Sequence, residues 1–509
     1  MTTSVVREVE RKYDAEAGRE PQVLSALAQE KGALSEPDEL RLEAVYFDTA
    51  DLNLARAEMT LRYRSGGDDD GWTLKLPAGT DGRDEIRVGQ RRDRRRRLRP
   101  PEELLGLVRA VARGAALDPV VTISTVRTRR LLTAADGRLL AEVVDDEVTA
   151  RGADGQEQAW REIEVELGEA GDPELLDRIE ARLASAGVHR AQSASKLARA
   201  MGDRLPAPEP RPELGPGSPA GQVVLAYLHD QAEAIRRNDP HVRRQAPDAV
   251  HQMRVACRRM RSALQVFDRV VERDRTRAVS DELKWLAGEL GGARDLEVLH
   301  ARFATAVAGL PVELVLGPVD ARLTRYFARR DADAHAAVVT ALDGDRYLAL
   351  LAALDALLAE PPFTPLARRP AKAALPRLVH RAHRRVAGHI DAAEQALDPG
   401  TRDTELHEAR KAAKRLRYAA EAVAPALGRP VKRLGKAAKA LQEILGEHQD
   451  AVVARPVLRE IAVAAQVDGE SAFTFGLLHE RETGAAVRAE ADVEGAWKEV
   501  EKRVRRVGT

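Results

Sequence analysis

Glu8-Val9-Glu10-Arg11-Lys12 is a strand written in charges. Successive side chains on a strand point to opposite faces, so Glu8, Glu10 and Lys12 share one face. Two carboxylates and an ammonium side by side are costly unless water reaches them or something binds there. On a solvated sheet face they amount to a local Glu–Lys pair. On the inside of a barrel the carboxylates suit a hard divalent cation and the lysine suits a phosphate.

The surrounding sequence repeats the pattern. Val5–Tyr13, Thr60–Arg64, Trp72–Leu76, Val120–Thr128, Leu139–Asp145 and Glu162–Leu167 read as strands. Arg62 with Arg64, Thr73 with Lys75, Arg83 with Glu85, Arg127 with Arg129, and Glu162 with Glu164 and Glu166 each alternate along one face, and Asp145 precedes the last set. Pro173–Ala186 and Ala194–Met201 read as helices. Strand after strand places charge on one side and Leu, Ile or Val on the other. A closed antiparallel barrel with a charged lumen explains this economically.

The prolines of 206–218 fix φ and remove amide donors, so no helix or central strand crosses them. They separate an expected 1–205 barrel domain from an expected 219–509 helical domain. At roughly 100–200 residues per domain, 509 residues make two to four domains. No apolar run reaches the length of a membrane span, and Met1–Glu8 lacks an apolar signal segment. One cysteine, Cys257, excludes an internal disulfide framework and a multi-Cys zinc site. A cytoplasmic protein fits. Formal net charge is zero, but residues 1–220 carry an excess of seven negative charges and 221–509 an excess of seven positive ones. The basic half invites an anionic partner. The run Arg91–Arg99 reads as a solvated loop or strand edge, with an acidic-partner patch as the alternative.

The second half is rich in Ala, Leu, Arg and Glu with apolar spacings of three and four. Helices are expected near 221–237, 247–271, 278–290, 295–308, 318–340, 345–359, 371–397, 402–424, 431–445 and 473–505. It contains a repeat. His251, Arg254, Arg258, Arg259 and Arg261 stand at positions 0, +3, +7, +8 and +10, and His407, Arg410, Lys414, Arg415 and Arg417 match them. Each block is followed by an expected acidic turn, Gly292–Asp295 and Gly446–Asp450. Positions 0, +3, +7 and +10 fall along one helix face. Such a cationic stripe repels itself and needs an anion, or acidic neighbours such as Asp295 and Asp450. Aromatic interleaving is too sparse for stacking nucleic-acid bases.

The ordered motifs Glu8-x-Glu10-x-Lys12, Tyr46-Phe-Asp-Thr49, Leu61-Arg-x-Arg64, Thr73-Leu-Lys75, Arg83-x-Glu85, Arg127-x-Arg129, Asp145, Glu162-x-Glu164-x-Glu166 and Ser195-Lys196 resemble the CYTH domain, the triphosphate tunnel metalloenzymes. The resemblance implies an eight-stranded tunnel that hydrolyses triphosphates or cyclises ATP. It implies that Glu8, Glu10, Asp145, Glu162 and Glu164 hold Mg²⁺ or Mn²⁺. Lys12, Arg62, Arg64, Lys75, Arg83, Arg127, Arg129 and Lys196 would hold phosphates, and Glu8, Glu10, Lys12, Lys75 and Glu85 would form the catalytic set. Ala57-Glu-Met-Thr60 departs from the pattern by lacking a glycine.

Val250–Arg261 and Leu406–Tyr418, with Arg294-Asp295 and Gln449-Asp450, resemble the CHAD domain. That resemblance implies two pseudo-symmetric four-helix bundles binding inorganic polyphosphate through His251, Arg254, Arg258, Arg261, His407, Arg410, Lys411, Lys414 and Arg417. The expected protein is a metal-dependent triphosphatase joined to a polyphosphate-binding module, in the cytoplasm or at polyphosphate granules. An idle binding barrel and an adenylyl cyclase are the alternatives.

Overall fold

The structure is a computed structural model describing residues 4–15, 32–67, 70–77, 82–89, 98–193, 195–205 and 212–508. The chain divides into two compact units, Met1–Pro210 and Arg211–Thr509. Residues 91–97 of the basic run and 206–211 of the proline-rich stretch lie outside the described residues.

The first unit contains β1 (Ser4–Ala15), β2 (Gly32–Leu34), β3 (Asp38–Asp48), β4 (Thr60–Ser65), β5 (Gly71–Pro77), β6 (Gly82–Val88), β7 (Asp118–Ala134), β8 (Leu139–Gly152), β9 (Glu157–Leu167) and β10 (His189–Arg190). Eight strands pair antiparallel in the order β1-β6-β5-β4-β3-β7-β8-β9, and β9 pairs back onto β1, closing a barrel. Strands β2 and β10 add to β7 and β1. Helices α1 (Asn53–Arg56), α2 (Glu102–Ala112), α3 (Pro173–Ser185) and α4 (Lys196–Met201) complete the unit.

Alternation decides which side chains face in. The outward apolar residues Leu61, Trp72, Leu74 and Ile86 pack under Leu104 and Val108 of α2. Tyr13, Val143, Ile163 and Val165 pack under Leu175, Leu176, Ile179 and Leu183 of α3. Each such side chain stabilises the fold by roughly 1.5–3 kcal/mol. Helix α3 starts where Pro173 supplies a preset φ and the Asp172 carboxylate accepts from the Leu175 amide at 2.7 Å. Strand β3 inverts the expected polarity. Leu40, Leu42 and Ala44 line the lumen, while Glu39, Arg41 and Glu43 are exposed outside. The missing glycine before β4 has a counterpart in the backbone: Glu58 stands at φ 58°, a left-handed conformation costing roughly 1–2 kcal/mol.

The second unit is all helical: α5 (Ala220–Arg243), α6 (Ala249–Val266), α7 (Arg273–Ala308), α8 (Val319–Asp343), α9 (Asp345–Ala359), α10 (Ala371–Gln395), α11 (Pro399–Leu427), α12 (Arg429–Val467) and α13 (Phe473–Val504). The repeat copies lie on α6 and α11, which pack against each other. The turns expected at 292–295 and 446–450 do not exist. Both segments run on as helix, so α7 spans 36 residues and α12 spans 39. Glycine serves close approach at each: Gly446 inside the second segment and Gly291 just before the first, whereas a Cβ on Gly292 would meet nothing. A Cβ on Gly291 would meet Arg254 Nη2 at 3.4 Å, and one on Gly446 would meet Arg410 Nη2 at 3.3 Å. Each arginine lies across the neighbouring helix and reaches the acid one turn on, Arg254 to Asp295 at 3.0 Å and Arg410 to Asp450 at 3.3 Å. Among the described residues no helix is long and apolar enough to cross a membrane.

Candidate active site and anion-binding surfaces

Cross-strand register gathers the barrel's charges. Arg127 stands opposite Asp146, Asp146 opposite Glu162, and Lys12 opposite Glu164. The carboxylates of Asp146, Glu162 and Glu164 offer ligand atoms all within 4.8 Å of one another. In their midst lies the Lys196 ammonium, 2.9 Å from Asp146 Oδ2 and 2.8 Å from both Glu162 Oε1 and Glu164 Oε1. Ser195 positions it: its hydroxyl accepts from the Ala198 amide at 3.0 Å and starts α4, while Leu197 and Met201 pack against Tyr46, Ile123 and Val148. Arg127 donates to both oxygens of Asp146 at 2.8 and 2.7 Å and to Glu164 at 3.1 Å. The Trp160 indole donates to Glu162 at 2.6 Å.

The cluster corrects one sequence expectation. Asp145 is not among its members. It lies opposite Ile163 on the outward face and accepts from Arg161 at 2.8 and 2.5 Å. Asp146, one residue on, is the inward carboxylate and is fully buried. Glu8 and Glu10 also fall outside this cluster. Lys75 is 2.5 Å from Glu8 and 3.4 Å from Glu85, and Arg87 is 3.4 Å from Glu8 and 3.2 Å from Glu85. Lys12 bonds Glu164 and lies 3.5 Å from Glu10, and Arg83 lies 3.9 Å from Glu10.

Arg62 completes the wall, 3.8 Å from Glu85 and 3.4 Å from the Tyr46 hydroxyl. All of the predicted lumen cations, Lys12, Arg62, Arg64, Lys75, Arg83, Arg127, Arg129 and Lys196, line one cavity of about 250 Å³. Arg129 also bonds Asp38 at 2.7 Å. Asp146, Arg87, Glu142 and Tyr46 were not predicted as site residues. Arg87 simply extends the Arg83/Glu85 alternation by two, and Asp146 is fixed by its register with Arg127.

The lumen's electrostatics are divided. Burial raises the Glu164 carboxyl, but Lys12, Lys196 and Arg127 outweigh it and hold the group well below its ordinary range. Glu8 is pushed up to about 8 by burial and by its hydrogen bond with Glu85, and Glu166 up to about 7 by burial. Arg64, buried with Arg62 and Arg127 nearby, is pushed down to about 9. Repulsion of that kind marks a place where an anion is welcome.

In the helical unit the two stripes converge. Burial pushes the Lys414 amine down to about 6, helped by Arg258, Arg410 and Arg254 and only partly opposed by Asp450. Arg258 is lowered too, by burial and then by Arg254 and Arg410, with Tyr418 opposing. Both histidines sit beside this cluster and are lowered by burial, His251 further by Arg294 and His407 further by Lys411. Lys411 pairs with Glu408. Two predicted members turn elsewhere. Arg417 donates to Glu421 at 2.7 Å and Gln442 at 3.0 Å, and Arg261 faces a different cavity.

Residues 6–201 match the CYTH domain and residues 226–459 match the CHAD domain. The chain is a CYTH–CHAD protein. Two uncharacterized proteins of Mycobacterium tuberculosis, MT2285 of strain CDC 1551 and Rv2226 of strain H37Rv, are each 39% identical to it over 516 residues, covering 98% of this chain and 97% of theirs. Among solved structures, the CHAD domain from the plant Ricinus communis is 27% identical, with 58% of this chain and 96% of that chain covered and a TM-score of 0.46. PptA from Streptomyces chartreusis is 24% identical, covering 55% of this chain and 100% of that chain with a TM-score of 0.45. The CYTH barrel thus carries the acidic cluster, and the CHAD helices carry the paired stripes.

Proposed function

We propose that the CYTH barrel hydrolyses a phosphoanhydride bond of inorganic triphosphate or short polyphosphate with a divalent cation, and that the CHAD helices bind polyphosphate. The observation that carries the first part is a cavity lined by half-buried cations and by Glu164, which joins the buried Asp146 and Glu162 in a carboxylate triad. The triad fits a hard divalent ion: three oxygen ligands of Asp146, Glu162 and Glu164 already surround a cation, the Lys196 ammonium. Bound there, Mg²⁺ or Mn²⁺ would supply charge neutralisation for phosphate oxygens.

The rest falls to this chain's side chains. Arg62, Arg64, Arg127 and Lys75 would hold the phosphate oxygens from several sides. Water forms the new P–O bond, and the bridging oxygen leaves with the electron pair on the shortened phosphate. A loose phosphoryl-transfer transition state needs mainly this positioning and neutralisation, so the absence of a triad nucleophile is no obstacle. Among the described residues Tyr46 is the one aromatic lining the cavity, a poor cradle for a nucleobase, which favours hydrolysis over ATP cyclisation.

The test is phosphate release by the full chain from triphosphate, polyphosphate, ATP and thiamine triphosphate with Mg²⁺ or Mn²⁺. Release should stop with chelator and return with metal. No turnover, or cyclic AMP as the product of ATP, would overturn the reading.

For the CHAD helices, the carrying observation is that cations from both repeat copies crowd Lys414. A polyphosphate bound across Arg254, Arg258, Arg410 and Lys414 would restore the ammonium, because an adjacent anion favours the charged form. Binding at pH 7.5 should therefore take up about one proton per chain. Titration calorimetry in buffers of different ionisation enthalpy reads this directly. Equal heats in those buffers would refute it.

A further inference from the structure

Arg261 and Arg417 occupy the same place in the two copies of the repeat, ten residues after the histidine, yet their surroundings differ. Arg417 donates to Glu421 at 2.7 Å, and Arg259 reaches the same carboxylate at 3.2 Å. Glu421 stands fourteen residues after His407. The matching position after His251 is Gln265, which carries no charge. Arg261 accordingly has no carboxylate, and its Nε is buried without a hydrogen-bond partner.

Arg261 opens on a cavity of about 290 Å³ lined from α6, α7 and α10, together with Gln265, Arg273, Arg277 and Arg385. Among the described residues no ion pair joins these four guanidinium groups to an acid, whereas Arg243, Arg302 and Arg322 are all paired. Of the two acids lining the cavity, Asp268 is already bonded to Arg381 and Asp281 is exposed. Arg415 adds a fifth cation close by. Burial, then Arg385 and Arg261, lowers its guanidinium, and its Nε is likewise buried without a partner. Arg273, Arg277 and Arg385 are exposed and Arg261 half-buried, and like charges gathered about one cavity draw an anion into it. The volume is at the small end of ligand pockets, which run roughly 300–1,000 Å³, so the ligand is compact.

We propose that Arg261, Arg273, Arg277 and Arg385 form a second anion site in the helical unit, one that takes a short run of condensed phosphates and acts independently of the Arg254, Arg258, Arg410 and Lys414 cluster. It exists in one repeat copy because Gln265 replaces the glutamate that fills the other. Free pyrophosphate and the end of a polyphosphate chain share this chemistry. The site does not depend on the proposed binding across α6 and α11.

The experiment is residue-resolved arginine labelling with a dicarbonyl reagent on the full chain, in chelator, with pyrophosphate, long-chain polyphosphate, or sulfate at matched ionic strength. Pyrophosphate should slow labelling of Arg273 and Arg277 by roughly tenfold, as expected of charge-assisted hydrogen bonds. Gln265→Glu, which supplies the missing carboxylate, should abolish that protection with the melting temperature unchanged or raised. Arg258→Ser with Lys414→Met should leave it intact. Protection by chains alone that survives this double variant assigns the site to chain ends. Equal protection by sulfate, protection untouched by Gln265→Glu, or loss of protection in the double variant would each overturn the proposal. The α6–α11 reading fails separately, when polyphosphate leaves Arg258 labelling unchanged while protecting Arg273.

Discussion

Asp146→Asn is expected to lower metal-dependent phosphate release by roughly 10²–10³-fold, the scale on which single charge-stabilising groups act in active sites. Asp145→Asn should retain most of the activity. The two residues are neighbours in sequence and opposite in orientation. Asp146 is fully buried and touches Lys196 and Arg127, whereas Asp145 pairs with Arg161 on the outer face. Losing Asp146 leaves two cations facing one another and removes one of three ligands. Losing Asp145 breaks a two-bond, half-buried pair with Arg161, which costs stability away from the triad. Steady-state phosphate release beside a melting curve separates the cases. Equal activity in both variants would remove the triad from the reaction, and a larger loss for Asp145→Asn would reverse the assignment.

Arg258→Ala combined with Lys414→Ala is expected to weaken polyphosphate binding by roughly 10²-fold while stabilising the fold. Each side chain would give one charge-assisted contact, worth roughly 1.5–3 kcal/mol. The opposite sign on stability follows from repulsion. The Lys414 amine sits at about 6 in the folded protein, against about 10.4 in an unfolded chain. Between those values the unfolded chain binds a proton that the folded chain lacks, so stability rises with pH across that window and the penalty is fully present below pH 6. Removing Lys414 removes the slope. A structural role for either residue would move affinity and stability downward together, and that result would end the binding reading. Arg254 and Arg410 are poorer choices for this test, because each is anchored to an acid across a glycine.

Period-two alternation exposed the barrel because its strands carry charge inward and apolar side chains outward under α2 and α3. It missed β3, whose pattern is equally regular but inverted: Leu40 and Leu42 face the lumen and Glu39, Arg41 and Glu43 face water. Alternation alone gives two faces without saying which is inside. The same ambiguity misplaced one carboxylate of the candidate metal cluster, since Asp145 and Asp146 are chemically identical and only the register with Arg127 separates them. In the helices, glycine beside an acid read as a turn. Gly292 and Gly446 instead lie mid-helix, and Gly446 and the neighbouring Gly291 make room for an arginine from a helix some forty residues away in sequence. Contacts between elements of that kind leave no local trace. The basic stripes were legible because the repeat doubled them, and the capture of Arg417 by Glu421 is an i,i+4 pair on one helix, but the capture of Arg254 by Asp295 depends on side-chain reach across helices.

If the cluster takes a metal as proposed, Lys196 makes the loading an exchange. Three buried carboxylates without counter-ions would be costly, and beside Arg127 and Lys12 this barrel sets among them a tethered ammonium that touches all three, on a helix locked into the barrel by Leu197 and Met201. An incoming ion must therefore outbid a cation that never diffuses away. A monovalent ion brings the same charge as the amine it displaces and gains nothing on that account. A divalent ion would bring twice the charge, and the released ammonium, already among the residues lining the cavity, would be free for phosphate oxygens. A metal site there would thus discriminate by valence before any coordination geometry is formed.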